Sequence, residues 1–314
     1  MKAVNNDMQD QPNTLDRMLS KRNVYAVFAG LLFLLGAGAV AYGPRVLLMA
    51  VVAYVFSYAF EFLFMKIRKT PVTYKSIISP LIFVLILPPS LPFWMVAVGS
   101  AFGTFFGKSV FGGEGKNIFN PAAVGVLFLT ISFPVQMLSG WVDPLTDIIV
   151  TGATPLTSLN RTGSTGVAIW DLLLARTPGT IGETFRLGII VIGVGLALIK
   201  AIDWRLPVIS LTTVLVINLI GHLALPDVFP EALPSILTGG LMFASVFVLT
   251  DPVTAPVKSK SKIWYAIGFS VIVVLIRTFA TFQEGVIFAV IIMNALAPLI
   301  DGEDVYRLEA GKED

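Results

Sequence analysis

Thr154 stands before Pro155, with Gly152 and Ala153 ahead of it and Thr157 and Ser158 behind it. Threonine at an N-cap followed by proline at the first helical position starts a helix. The small residues before it let another group approach the backbone. A helix N-terminus also offers unpaired N–H groups and the positive end of the peptide dipoles, which suit a phosphate. The turn T-G-A-T-P therefore reads either as a capped helix start or as a place where a phosphate sits. Spacing alone does not choose among the hydroxyls of Thr154, Thr157 and Ser158.

A second polar stretch, 111-FGGEGKNIFNPA-122, interrupts the apolar sequence. Gly112, Gly113 and Gly115 allow close backbone approach. Asn117 and Asn120 can hydrogen-bond a ligand, and Lys108 and Lys116 bring positive charge. The same residues also suit a tight inter-helix turn in which Asn-Pro starts the next helix. With no cysteine and the single histidine His222, the chain holds no Fe–S cluster through thiolates and no bis-His haem or His-rich zinc site. Any electron carrier here must be organic, and no metal ligand set or catalytic residue is expected.

The elements around these stretches are apolar. Of 314 residues 55% are hydrophobic and 13% charged, and the mean hydropathy is +0.83. A soluble domain carries about 25% charged residues, so the chain reads as an all-α integral membrane protein. A net charge of +2 gives no case for nucleic acid. The polar first 23 residues do not fit a cleavable signal peptide. Apolar runs at 24–42, 45–65, 76–90, 91–107, 120–136, 187–200, 206–225, 235–250, 263–280 and 284–300 give ten candidate spans. With the N-terminus inside, 17 of the 22 Lys and Arg fall on the inner side, and five (Arg45, Arg161, Arg176, Arg186, Arg277) on the outer side. The positive-inside rule then places both termini in the cytoplasm and Thr154 outside.

The two halves are related. Both 76-SIISPLIFVLILPPSLP-92 and 235-SILTGGLMFASVFVLTDPVTAP-256 open on S-I-[IL]-[ST], are short, and end in proline-rich turns. Each is the third span of five, so the halves have opposite orientation. The expected layout is a cytoplasmic segment 1–23, a five-helix repeat 24–136, an outer loop 137–186, an inverted five-helix repeat 187–300 and a cytoplasmic tail 301–314. Within the loop, 164–180 suits a short interfacial helix. Among the polar residues of the spans, Glu61 is expected to pair with Lys66 at the interface, and His222 to be a hydrogen-bonded packing residue. Asp251 is expected to cap the turn before Pro252. The run 258-KSKSK-262 reads as a solvated topology signal, and no ion path is identified.

The stretch 151-TGATPLT-157 resembles the S/T-G-A-T flavinylation motif of the RnfD and NqrB membrane subunits. The segment 107-GKSVFGGEGKNIFNPA-122 resembles the most recognisable signature of the same subunits, and 250-TDPVTAP-256 matches their pattern. The three motifs follow in the family's order. In that family the last threonine carries FMN through a phosphoester. It maps onto Thr154, with Thr151, Gly152 and Ala153 completing the motif. The family's acid three residues before the motif is Ile148 here, with Asp147 one residue further away. Chain length and the T-P-L-T continuation bring the sequence nearer RnfD.

The resemblance implies a subunit of a ferredoxin:NAD+ oxidoreductase coupled to Na+ or H+ movement in a bacterial or archaeal inner membrane. Its partners would be the other Rnf-type subunits, including Fe–S and flavin subunits, and a flavin transferase for maturation. No complete activity is expected of the chain alone. One flavin outside does not reach across a hydrocarbon core about 30 Å thick. A second, non-covalent flavin (riboflavin or FMN) is therefore expected toward Lys108, Gly112, Gly113, Asn117 and Asn120. Two other readings remain: an NqrB-like subunit of a Na+-translocating NADH:quinone reductase, and a non-redox transporter or channel of inverted-repeat architecture.

Overall fold

The computed structural model describes residues 17–69, 73–138, 141–146, 149–150, 154–280 and 284–302. It is a helical membrane protein. Four helices are long and apolar enough to cross a bilayer: α1 (Lys21–Tyr42), α2 (Arg45–Arg68), α10 (Arg205–Ala224) and α13 (Ser259–Phe279). Their lipid-ready faces show in exposed Leu32, Phe33, Leu47, Leu48, Val51 and Val55, while Leu31, Leu34, Val46 and Met49 are buried.

Shorter helices complete the bundle: α3 (Ile78–Ile86), α4 (Phe93–Thr104), α5 (Pro121–Ser132), α9 (Arg186–Leu198) and α14 (Val286–Asp301). α6 (Pro134–Leu138), α7 (Pro155–Thr162) and α8 (Ile169–Leu173) lie in the connection between α5 and α9. Of the helix anticipated over 164–180, only α8 forms. The connection also holds a two-residue ladder in which Trp141 is paired with Val150 and Val142 with Ile149, a small departure from an all-helical chain.

The apolar run 235–250 is not one helix. α11 (Ala232–Leu237) ends where Thr238 turns extended and Gly239 takes φ +65°. The chain then re-enters helix as α12 (Leu241–Phe243), which continues as a π-turn over Ala244–Val248. A second π-turn, Phe105–Ser109, ends α4. Such turns are rare and concentrate at functional sites.

Packing has the same plan in both halves. α2 packs on α4, and α4 on α5; α10 packs on α13, and α13 on α14. The halves meet through α1 against α9 and α5 against α14. The tightest approach is α4 on α5. A Cβ on Gly103 would lie 2.4 Å from the Pro121 carbonyl oxygen, and one on Gly125 would lie 2.6 Å from that of Gly99. Side-chain rotation relieves neither clash, because both partners are backbone.

Gly125→Val is expected to lower thermal stability by about 1–3 kcal/mol, the usual range for overpacking a close helix contact. Gly36→Ala, which meets nothing within 4 Å, should leave it unchanged. Melting of the purified variants in detergent checks both.

Candidate functional site

Thr154 is the N-cap of α7, in extended conformation with Pro155 at the first helical position. Its Oγ1 accepts from the Thr157 N–H at 3.2 Å and lies 3.1 Å from Thr157 Oγ1. The hydroxyl is already in use as a cap, and Thr154 retains 9% exposure. α7 is amphipathic: Pro155, Leu156 and Leu159 are buried, and Gly163 closes the helix at φ +76°. Thr151, Gly152 and Ala153, with Asp147 and Ile148, lie outside the described residues.

Beside α7 opens a cavity of about 400 Å³ lined by Pro155, Ser158, Asp171, Arg176 and Thr177, among others. Arg176 is exposed and pairs with Asp171 at 3.4 Å. A phosphate on Thr154 Oγ1 would meet the first N–H groups of α7, and a planar group beyond it would find room in this cavity. The donor set and the space both fit a tethered flavin nucleotide.

At the far end of α5, whose 12 residues rise about 18 Å, Asn120 caps that helix through Oδ1 to the N–H groups of Ala122 and Ala123. Its Nδ2 donates to Asp251 Oδ2 at 2.9 Å, and its backbone N–H donates to Asn294 Oδ1 at 3.0 Å. Asp251 Oδ1 accepts from the Val253 N–H at 3.1 Å, the turn cap expected of it. Burial pushes the Asp251 carboxyl up to about 6, against the opposing Val253 hydrogen bond.

Asn117, Asn120 and Asp251 line a cavity of about 60 Å³, with Met18 and Leu19 also in its wall. One buried acceptor there, Asn117 Oδ1, has no partner among the described residues. The hydrogen-bonding set suits the polar edge of a flavin ring. The enclosed volume of about 60 Å³ is smaller than a flavin ring.

Lys108, Gly112 and Gly113 do not join this group. They line a separate cavity of about 190 Å³, and Glu114 borders both cavities. Lys108 is buried and bridges Glu61 and Glu114, each at 3.1 Å. Ser76 donates to Glu61 at 2.6 Å and accepts from Lys108 at 3.1 Å. Glu61 therefore pairs with Lys108 rather than with Lys66, because its side chain faces the bundle and not the interface.

His222 bonds the Phe229 carbonyl at 2.8 Å, as a packing residue would. The run 258–262 is not simply solvated: Lys262 is buried in a 2.8 Å pair with Asp203, and Lys258 Nζ donates to the Asp301 carbonyl at 2.7 Å. The sequence reading missed the Asn120–Asp251–Asn294 junction. Its signal was present, since each is an uncompensated polar residue beside an apolar run. It also counted Arg186 and Arg277 only as loop charges, whereas both are buried and bonded to backbone carbonyls.

Over 251 residues the chain is 38% identical to a subunit of the Na+-translocating NADH-quinone reductase of Azotobacter vinelandii, covering 77% of this chain and 62% of that protein. Over 308 residues it is 31% identical to a subunit of the Na+-translocating ferredoxin:NAD+ oxidoreductase complex of Acetobacterium woodii, covering 96% and 94%. Over 258 residues it is 33% identical to a subunit of the ion-translocating oxidoreductase complex of Stutzerimonas stutzeri, covering 72% and 73%. The chain thus spans only about 62% of the length of the quinone-reductase relative. The profile of the NQR2, RnfD, RnfE family matches residues 7–305, and the chain belongs to that family.

Proposed function

We propose that this chain is the flavin-carrying membrane subunit of an ion-translocating ferredoxin:NAD+ oxidoreductase, with FMN esterified to Thr154. The observation that carries the reading is the α7 start: a threonine hydroxyl at a helix N-terminus, beside a cavity of about 400 Å³, inside the T-G-A-T motif. Bound there, the flavin would supply one- and two-electron chemistry. α7 would hold the phosphate end near its N-terminus, and the residues lining the cavity would orient what lies beyond. The Asp171–Arg176 pair sets the charge at the rim. The alignment over 308 residues with the Acetobacterium woodii protein supports this complex.

The reading extends to topology. The chain crosses an inner membrane ten times, as inverted five-helix repeats over 24–136 and 187–300, with both termini cytoplasmic and Thr154 outside. Two polar networks support the repeat. In the first half, Ser76 receives Lys108 and donates to Glu61. In the second, Asn218 Nδ2 donates to Ser235 Oγ at 2.9 Å, and Arg277 donates to the Ser235 carbonyl at 2.8 Å. Ser76 and Ser235 occupy the matching S-I-[IL]-[ST] positions, and Glu114 and Glu284 each follow the cation. Partners are the other subunits of the complex and a flavin transferase acting outside.

A second, non-covalent flavin would sit at Asn117, Asn120 and Asp251, with Lys108, Gly112 and Gly113 shaping the adjoining cavity.

Coexpressed with its transferase and denatured on a gel, the wild-type chain should fluoresce, and Thr154→Val should be dark. A dark wild-type band beside a fluorescent control protein would favour a transporter without redox chemistry. Asn120→Ala should lower by at least half the flavin released on denaturation, while leaving the covalent band intact. Because the chain has no cysteine, single cysteines report sidedness cleanly. An impermeant thiol reagent applied from outside should label Ser164→Cys and not Lys260→Cys.

A further inference from the structure

Under α7 lies a group of ionisable side chains that the flavin reading does not use. Glu183 and Arg186 come from the chain entering α9, Arg277 from the end of α13, and Glu284 from the loop before α14. Glu183 is 5% exposed and Arg186 1%. They surround the Thr238–Gly240 break. A Cβ on Gly239 would lie 2.6 Å from Arg277 Nη2, 2.8 Å from Glu284 Oε1 and 2.8 Å from Leu156 Cδ2. A Cβ on Gly240 would lie 3.7 Å from Glu284 Oε2 and 3.8 Å from Glu183 Oε2. One glycine thus carries α7, and the other is flanked by both carboxyls.

The arginines turn mainly to backbone. Arg277 donates to the carbonyls of Ser235 at 2.8 Å and Thr238 at 3.1 Å, capping the end of α11. Arg186 donates to the Leu172 carbonyl at 2.7 Å and thereby fixes α8. The Arg186–Glu183 approach is only 3.7 Å. Glu284 Oε2 accepts from the Gly240 N–H at 3.4 Å. Glu183 Oε2, Arg186 Nε and Arg277 Nε are buried with no partner among the described residues. A cluster built only to pin loops would close into two-pronged guanidinium–carboxylate pairs. This one leaves an acceptor and two donors buried without a partner among the described residues, where an unmade hydrogen bond is costly. Glu183 Oε2 is thus a carboxylate oxygen on which a proton can sit.

We propose that Glu183 and Glu284 form a proton-loading site at the Thr154 end of the membrane. The pair takes one proton from outer water when an electron arrives on the group carried by α7, and returns it when the electron leaves. The electron half of this statement rests on the flavin reading of Thr154. One electron, delivered by a one-electron carrier of the complex, adds one negative charge. One proton forms an O–H bond on a carboxylate oxygen and cancels it. The groups facing the pair are Arg186 and Arg277, the Thr180 hydroxyl, and the Tyr42 hydroxyl bonded to Thr184 at 2.7 Å. Burial pushes the Glu183 carboxyl up, with Arg186 opposing. A raised carboxyl keeps its proton to higher pH and gives it up above the shifted value, so exchange falls above about 4.3, where an ordinary glutamate titrates.

The test is infrared difference spectroscopy of the purified chain between about pH 5 and about pH 9. The wild type should show a carboxylic C=O band that titrates in this range. Glu284→Gln and Glu183→Gln, which keep size and shape, should each remove or shift it. Absence of any such band, or an unchanged band in both variants, overturns the proposal. This readout needs no flavin, so it stands apart from the gel test of Thr154, and the band should persist in Thr154→Val. In the flavinylated chain the flavin midpoint potential should fall by about 59 mV per pH unit over the same range, a tenfold change per unit for a one-electron couple. The slope should flatten in Glu284→Gln. Equal slopes in wild type and variant would overturn the loading role, even with the carboxyl band present.

Discussion

A bilayer core contains no water to receive stray backbone groups, and this chain is organised around satisfying them. It breaks helices at two places, after α3 and after α11, and each break is repaired from outside its own helix. After α3 the carbonyls of Leu85 and Leu87 accept from the N–H groups of Gly182 and Ile181, so the strand of chain entering α9 serves as the missing turn. After α11 the carbonyls of Ser235 and Thr238 accept from the Arg277 guanidinium. Without these two repairs the carbonyls at the ends of α3 and α11 would be left bare.

The repairs set the position of everything else. The 181–182 segment brings Glu183 and Arg186 into the bundle, and Arg186 in turn holds the carbonyl end of α8, which walls the cavity beside Thr154. The break at Gly239 gives α7 a flat seat for Leu156. At the opposite end, Asp251 follows the π-turn at Ala244–Val248 and accepts from Asn120.

Much of this was legible in the residues. The apolar runs located the helices, Thr154-Pro155 located a helix start, and Asn120-Pro121 located another, because caps and prolines act locally. The break inside 235–250 was less legible, since Gly239 and Gly240 sit in a run as apolar as any other. Partners of charged groups were not legible at all. Glu61 has Lys66 nearby in sequence, yet its side chain points to Lys108 across the bundle. Sequence distance orders neighbours along one helix. It says nothing about which face of that helix is dry.

Asn120 joins three elements at once. Its Oδ1 caps α5, its Nδ2 holds Asp251 at the end of the α12 π-turn, and its N–H holds Asn294 in α14. A carrier that works by rocking one half of the molecule against the other needs a seam that slides. This seam is riveted through one residue in a buried place, where each broken bond would leave a bare polar group. A protein stitched in this way is suited to keeping fixed distances between its two ends, which is what a relay needs and a rocker must avoid.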